Sequence, residues 1–320
     1  MPVSRRAFLT AAAAALALPR TATGATTPLA VVATTGMIAD AARNLVGPLA
    51  EVRALMGPGV DPHAYRQTRT DIAAMLRADV VLWHGLYLEA QMEEFLADLA
   101  RRTRVEAVAE TVPSGLLISH DSYAGRYDPH VWMDPDLWAL VVGRVRDVLA
   151  EARPDAAPDV AANAEVHLAD IARLAAYARE TLATVPESSR VLVTAHDAFG
   201  YFGRAYGFEV LGIQGISTES EAGLERIGAL VETLVSRRIG AVFVESSVSD
   251  RNIRALIEGA AARGHAVRIG GELFSDAMGA PGSYEGTWLG MIDHNVTVIA
   301  RALGGTAPER GMDGKLEAGA

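Results

Sequence analysis

One stretch near the middle of the chain, residues 158–185, strongly limits what this sequence can fold into. It contains no glycine and no proline after its first residue, and it is rich in Ala, Glu, Leu and Arg. Its apolar residues recur in alternating steps of four and three, which places them on one face of an α-helix. They are Ala164, Leu168, Ile171, Ala175, Ala178 and Leu182. The stretch predicts a single helix about 40 Å long, at about 1.5 Å per residue. It ends before Pro186, because proline disfavours helical geometry in the residue that precedes it.

Short apolar runs alternate with helical patterns on both sides of this helix, as in α/β proteins with mostly parallel strands. The predicted strands are Leu29–Ala33, Glu51–Leu55, Val80–Trp83, Val105–Ala109, Val191–Thr194, Glu209–Ile213, Ala241–Val244 and Ala266–Ile269. We therefore predict an α/β fold with two lobes, each with a mostly parallel four-stranded sheet flanked by helices, joined by one long rigid helix. The predicted lobes are residues 25–156 and 187–320, with the joining helix over 157–186. The alternative is an ordinary long core helix, but its place between two matched halves favours a connector.

The first 24 residues have the pattern of a bacterial export signal. Arg5 and Arg6 precede Phe8-Leu9, an apolar run covers residues 10–18, and the small residues Ala22-Thr23-Gly24 follow. Paired arginines before such a run are typical of the twin-arginine type. The run is far shorter than the roughly 20 residues of a membrane-spanning helix, and the chain has no cysteine that could carry a lipid. We expect cleavage near Gly24 and release into the periplasm, without direct membrane insertion.

Charge and cysteine content narrow the possible ligands. The formal net charge is −10 and the pI is near 5.3, which argues against nucleic acid or an anionic membrane as a partner. Because there is no cysteine, any metal site must be built from His, Asp and Glu side chains.

Three of the eight histidines lie in positions suited to a metal site. His63 and His130 each end an Asp-Pro-His tripeptide, in which proline stiffens the chain and the aspartate can accept backbone N–H groups. His196 follows a predicted strand, at the edge of an α/β sheet where ligands bind. A histidine that merely caps a helix is the alternative interpretation for His196.

A dication held by three neutral imidazoles usually gains a carboxylate ligand as well. The candidates are Glu245, Glu272, Asp276 and Asp293. The first three each follow a predicted strand, and local reasoning does not rank them. The other histidines lie in turns, on helices or in polar loops, where a structural role is expected: His120, His167, His265 and His294. His84 ends a strand near the presumed cleft, and whether His84, His120 or Glu245 contributes to the site stays open.

Several motifs together resemble one known family. They are Gly57-Pro58-Gly59-Val60-Asp61-Pro62-His63, Asp128-Pro129-His130-Val131-Trp132-Met133-Asp134, Thr194-Ala195-His196-Asp197-Ala198-Phe199, Ile213-Gln214-Gly215-Ile216-Ser217-Thr218-Glu219, Phe243-Val244-Glu245-Ser246-Ser247 and Phe274-Ser275-Asp276-Ala277-Met278-Gly279. The chain resembles the cluster A-I metal receptors of bacterial ABC importers, which include zinc- and manganese-binding periplasmic proteins.

The resemblance implies two α/β lobes joined by one long helix, with one divalent transition-metal ion, Zn²⁺ or Mn²⁺, between them. Its ligands fall on His63, His130, His196 and Asp276. It also implies delivery of the ion to the membrane permease of an ABC importer, and we expect the receptor to be a monomer. The manganese branch often has Glu at the position of His196. The zinc branch often has a His-rich acidic loop where this chain has only residues 120–126, so the sequence matches neither branch fully.

A metal-dependent hydrolase is the main alternative function, because His and Asp also build catalytic sites. Catalytic zinc keeps one coordination position open for water, whereas four protein ligands would close a tetrahedral site. The sequence also has no His-Glu-x-x-His motif. We therefore expect a binding protein and not an enzyme.

Overall fold

The computed structural model describes residues 28–119 and 125–317. The predicted export signal and His120 lie outside these ranges. Within them, no helix combines the length and the apolar character needed to cross a membrane.

The N-terminal half is built on one parallel sheet of four strands, in the order β2-β1-β3-β4. The strands are β1 (Leu29–Ala33), β2 (Ala50–Ala54), β3 (Val80–Trp83) and β4 (Arg104–Ala107). The helices of this half are α1 (Gly36–Val46), α2 (Arg69–Met75), α3 (Glu93–Leu99) and α4 (Pro135–Ala152). The predicted α/β class and the parallel sheet of this half are confirmed.

Local signals explain where these helices begin. The hydroxyl of Thr35 accepts the backbone N–H of Ile38 at the start of α1. Thr68 and Asp71 form a reciprocal capping box at the start of α2. Asp134 caps α4, whose first residue is a proline, a position where the missing N–H costs nothing.

The C-terminal half also has four parallel strands, but they do not form the single sheet that the sequence predicts. The strands are β5 (Val191–Thr194), β6 (Glu209–Gly212), β7 (Ala241–Glu245) and β8 (Arg268–Leu273). Two separate pairs form, β5 with β6 and β7 with β8. Strands β5 and β7 lie side by side, without a hydrogen-bonded ladder in the described ranges. The register of β7 is interrupted between Val242 and Phe243, and such irregularities increase local twist in the strand that would have to join the two pairs. The helices of this half are α6 (Gly200–Tyr206), α7 (Leu224–Ser236), α8 (Arg251–Ala261) and α9 (Trp288–Ala302).

Helix α5 (Ala157–Ala183) connects the two halves with 27 residues, and the predicted long helix is confirmed. Most of the predicted apolar stripe is buried, and His167 is buried beside it. The helix packs against α1 and α4 of the N-terminal half and against α9 of the C-terminal half. The largest apolar core cluster accordingly contains residues from both halves, including Ile38, Ile171 and Met291.

A short C-terminal segment, residues 308–317, folds back over α9. Leu316 is fully buried, and the N–H of Met312 donates to both carboxylate oxygens of Asp293 at 3.0 Å. Arg173 of α5 forms an ion pair with Asp313 at 2.7 Å. These contacts fix the segment to two helices.

Candidate metal centre

Four side chains from distant parts of the sequence meet in one buried cluster. They are His63, His130, His196 and Asp276, and one possible ligand atom from each lies within 4.8 Å of all the others. The Nε2 atoms of His63 and His130 are 3.3 Å apart. His196 and Asp276 follow the carboxyl ends of β5 and β8, and His63 and His130 lie in the loops before helices α2 and α4. The cluster therefore lies at the carboxyl ends of strands. This is the edge at which α/β proteins bind ligands.

The two Asp-Pro-His tripeptides form matching turns. Oδ1 of Asp61 accepts the backbone N–H of His63 at 2.9 Å, and Oδ1 of Asp128 accepts that of His130 at the same distance. Asp128 also lies 2.7 Å from Nδ1 of His130. A proton on that Nδ1 leaves Nε2 free to face the cluster. The predicted role of the two aspartates as turn residues therefore agrees with their contacts.

Glu245 supports His196 from the neighbouring strand. Its Oε1 accepts the backbone N–H of His196 at 2.9 Å, and its Oε2 lies 2.5 Å from Nδ1 of the same residue. The second contact is an ion-pair distance outside hydrogen-bond alignment. The sequence placed Glu245 among four candidate carboxylate ligands, and the structure places it behind the imidazole rather than in the cluster.

Asp276 faces the histidines with both of its oxygens. Oδ1 lies 3.4 Å from Nε2 of His130 and Oδ2 lies 3.1 Å from Nε2 of His196. Both oxygens are buried and neither accepts a well-aligned hydrogen bond from a described residue. A buried, incompletely paired carboxylate is costly, and a divalent cation among these four donors would satisfy it. The donor set therefore fits a divalent transition metal.

Burial and neighbouring charges pull the histidine pKa values in opposite directions. Burial lowers the pKa of His63 to about 3. Burial would also lower the pKa of His130, but the carboxylates of Asp128 and Asp276 raise it to about 9. The pKa of His196 likewise lies well above its ordinary value, because Glu245 and Asp276 outweigh burial. These imidazoles in turn hold the pKa of Asp276 well below its usual range, despite burial. The neighbouring carboxylates thus favour the protonated forms of His130 and His196, whereas burial favours neutral His63.

A buried network behind the cluster contains a residue that the sequence did not reveal. Nε2 of His84 lies 2.7 Å from the carbonyl oxygen of Pro129, directly before His130. Glu89 accepts the N–H groups of His84 and Gly85 and the hydroxyl of Thr34. Glu89 begins a helical pattern in the sequence and no local signal marks it as buried. His84 therefore supports the loop of His130 and lies outside the four-residue cluster.

The other acidic residues and histidines considered from the sequence lie outside the four-residue cluster. Glu272 is exposed, and Asp293 holds the C-terminal segment and has a pKa raised by burial to about 6. His265 and His294 contact the carbonyl oxygens of Ile239 and Glu272.

Comparisons with known proteins agree with this site. The family described as ZnuA, zinc-uptake complex component A, periplasmic, matches residues 31–302. The manganese-binding lipoprotein MntA of Bacillus subtilis (strain 168) is 47% identical over 275 residues, which cover 86% of this chain and 90% of MntA. The zinc-binding protein TroA of Treponema pallidum (strain Nichols) is 44% identical over 273 residues, which cover 85% of this chain and 88% of TroA.

The comparison with solved structures agrees with the sequence comparisons. The solved structure of the periplasmic zinc binding protein TroA from Treponema pallidum superposes with a TM-score of 0.84, covering 86% of this chain and 99% of TroA. The resemblance that the sequence motifs indicated is confirmed. The family match spans most of the sequence, and the superposition covers nearly all of a relative's structure. The chain therefore belongs to the ZnuA family.

Proposed function

We propose that this protein is the solute-binding component of a metal importer. It captures one divalent transition-metal ion, Zn²⁺ or Mn²⁺, and delivers it to the permease of an ABC transporter. The ligands are His63, His130, His196 and Asp276. The observation that carries the proposal is the convergence of these four buried donors within 4.8 Å of one another.

The donor set supports capture rather than catalysis. Three imidazoles and one carboxylate complete a tetrahedral site, whereas catalytic zinc keeps a position for water and has a nearby general base. The carboxylates next to the cluster, Asp128 and Glu245, are already engaged with His130 and His196.

Release of the ion requires the two halves to move apart at the site. His63 and His130 come from the N-terminal half, and His196 and Asp276 come from the C-terminal half. Among the contacts that cross between the halves near the site, the hydroxyl of Thr218 donates to Asp61, and Gln91 donates to Glu219. Docking on the permease would break these contacts and move His196 and Asp276 away from His63 and His130.

The remaining features of the proposal concern location and assembly. The protein is exported through a twin-arginine signal, cleaved near Gly24, and acts as a periplasmic monomer. Residues 25–156 and 187–320 act as the two lobes, with residues 157–186 between them. The export-type sequence and the periplasmic description of the family support this location.

Two measurements test the function. Elemental analysis of protein purified from its native periplasm should find one Zn²⁺ or Mn²⁺ per chain. Three imidazoles and a carboxylate bind Zn²⁺ more tightly than Mn²⁺ in vitro, so native loading identifies the cargo better than affinity does. Calorimetry should give one-to-one binding that His63→Ala, His130→Ala, His196→Ala and Asp276→Asn each weaken at least about tenfold. Turnover of ester, phosphate or peptide substrates, without tight one-to-one binding, would favour the hydrolase instead.

A further inference from the structure

Trp132 connects the His130 loop to the Asp276 loop. It lies two residues after His130 in the short turn Val131–Met133 and is fully buried. Its indole N–H donates to the carbonyl oxygen of Ser275 at 2.8 Å, and Ser275 directly precedes Asp276. From this geometry we propose that Trp132 is a positioning residue for the metal, which sets the distance between His130 and Asp276. The inference rests on the proposed function.

The direction of the indole N–H is fixed by the surroundings of the ring. The ring packs edge-on against His84 and His130, with ring centroids 4.9 and 5.2 Å away. The backbone carbonyl of Trp132 accepts the indole N–H of Trp288 at 3.2 Å. A ring held by two histidine rings and at its own backbone cannot turn its N–H away from Ser275 without disturbing the His130 loop.

The segment before Asp276 is also held from within its own half. The side chain of Asn295 bonds both the N–H and the carbonyl oxygen of Phe274, at 2.9 and 2.7 Å. The hydroxyls of Ser247 and Ser275 lie 3.0 Å apart. These contacts fix the segment to helix α9 and to the loop after β7. They all lie within the C-terminal half and do not fix the segment relative to His63 and His130.

The Trp132 bond differs because its donor belongs to the half that carries His63 and His130. It fixes the backbone next to Asp276 relative to His130. Ligand geometry at metal sites depends on such outer contacts, and losing one typically costs about 10–100-fold in affinity. Without the indole N–H, Asp276 would keep its attachment to its own half and lose its alignment with His63 and His130.

Trp138 provides a matched control for Trp132. It is equally buried and stacks on Trp288 with ring centroids 5.7 Å apart. Its indole nitrogen has no hydrogen-bond partner in residues 28–119 and 125–317. Trp132→Phe and Trp138→Phe therefore remove the same atoms from the core, but only the first removes a bond to the Asp276 loop.

The experiment measures Zn²⁺ affinity and the visible spectrum of the Co²⁺-loaded protein for both variants. We expect Trp132→Phe to weaken Zn²⁺ binding about 10–100-fold and to change the Co²⁺ bands, which report ligand geometry. Trp138→Phe should keep the wild-type spectrum and an affinity within about threefold of wild type, although both variants lose thermal stability. Equal affinities and spectra for the two variants would overturn the inference.

A second replacement separates the bond from the cavity. Benzothienylalanine at position 132 keeps the two-ring shape and has sulfur in place of the N–H, so it should reproduce the affinity loss of Trp132→Phe in a well-packed core. A wild-type affinity for this protein would overturn the inference even where Trp132→Phe folds poorly. Failure of the wild-type protein to bind Zn²⁺ or Co²⁺ would instead count against the proposed function itself.

Discussion

Each proposed histidine ligand has an acidic residue behind it. Asp61 accepts the backbone N–H of His63, while Asp128 and Glu245 contact both the backbone and the ring of their histidines. A carboxylate at Nδ1 keeps a proton there, directs Nε2 to the metal and makes the imidazole a stronger donor. Of the four acids at the site, one is the proposed metal ligand and three contact the histidines.

Removing the charge behind His196 should weaken the site although the residue touches no metal. We predict that Glu245→Gln lowers Zn²⁺ affinity about 10–100-fold, because the amide keeps its size but no longer stabilises the ring. Glu272→Gln is the control, since Glu272 is exposed near the same strand, and it should bind as wild type does. Calorimetry on both variants checks this, and equal affinities would contradict a supporting role for Glu245.

Metal binding should release protons. In the metal-free site the pKa of His130 is raised to about 9 and that of His196 is also raised, while that of His63 is lowered to about 3. At pH 7 the ion therefore displaces about two protons, one from His130 and one from His196, and none from His63. Affinity should fall as pH decreases from about 9, because protons compete for both rings.

Calorimetry in buffers of different ionisation enthalpy counts these protons. Asp128→Asn removes the main charge that raises the pKa of His130, so proton release should drop to about one in this variant. A release that does not depend on Asp128, or no release at pH 7, would contradict the assignment.

At the scale of the elements, helix α5 sets how the halves can move. Its only proline is Pro158 in the first turn, and it contains no glycine. Helices kink at identifiable causes such as internal proline or glycine. Contacts with α1 and α4 hold it against the N-terminal half, and contacts with α9 hold it against the C-terminal half.

We predict that the metal-free and metal-bound forms differ little in overall size. A compact chain of this length has a radius of gyration of about 20 Å, and small-angle scattering should find a change below about 0.5 Å. The reason is that a stiff helix permits a small lobe rotation and loop rearrangement, but no wide hinge opening. A change of 1 Å or more would contradict the rigid connection.

The C-terminal segment should contribute stability without affecting metal binding. Leu316 is fully buried in it, and we predict that Leu316→Ala lowers the free energy of unfolding by about 2–5 kcal/mol. Leu76→Ala, at a side chain that is 53% exposed, should change it by less than about 0.5 kcal/mol. Denaturant titration and Zn²⁺ calorimetry check both statements, and a large affinity loss in Leu316→Ala would show that the segment reaches the site.

Some elements could be predicted from the sequence because their signals are local. The stripe on α5 repeats every three or four residues, and the Asp-Pro-His turns depend on contacts two residues apart. The division of β5–β8 into two pairs could not be predicted, because side-chain pattern reports burial and not which backbones bond. Glu89 was missed for a related reason. Its burial depends on contacts with Thr34, which is distant in the sequence, and with His84, which directly follows β3. The choice of Asp276 among four acids came from the family resemblance, and the metal-ligand roles themselves stay a prediction.

At the scale of the whole molecule, a metal bound by the proposed ligands would connect the two halves. The proposed ligands come in pairs from each half, so bound metal should stabilise the native fold. At a thousandfold excess of free metal over Kd the gain is about 4 kcal/mol.

Thermal unfolding with and without a chelator at neutral pH tests this. The melting temperature of the metal-loaded wild-type protein should fall when chelator is added, while Asp276→Asn should show a much smaller change. A melting temperature of the metal-loaded wild-type protein that does not change when chelator is added would contradict metal binding between the halves.

The spacing of the proposed ligands along the chain also bears on synthesis and breakdown. Asp276 is the last of the four, so a ribosome has made most of the protein before the carboxylate exists. A chain that stops earlier can offer only histidines, and a product trimmed from its C-terminal end past this point loses the anionic donor. Incomplete and degraded copies should therefore hold the ion weakly and return it to the surrounding fluid. Metal occupancy then reports that a copy of the protein extends at least through Asp276.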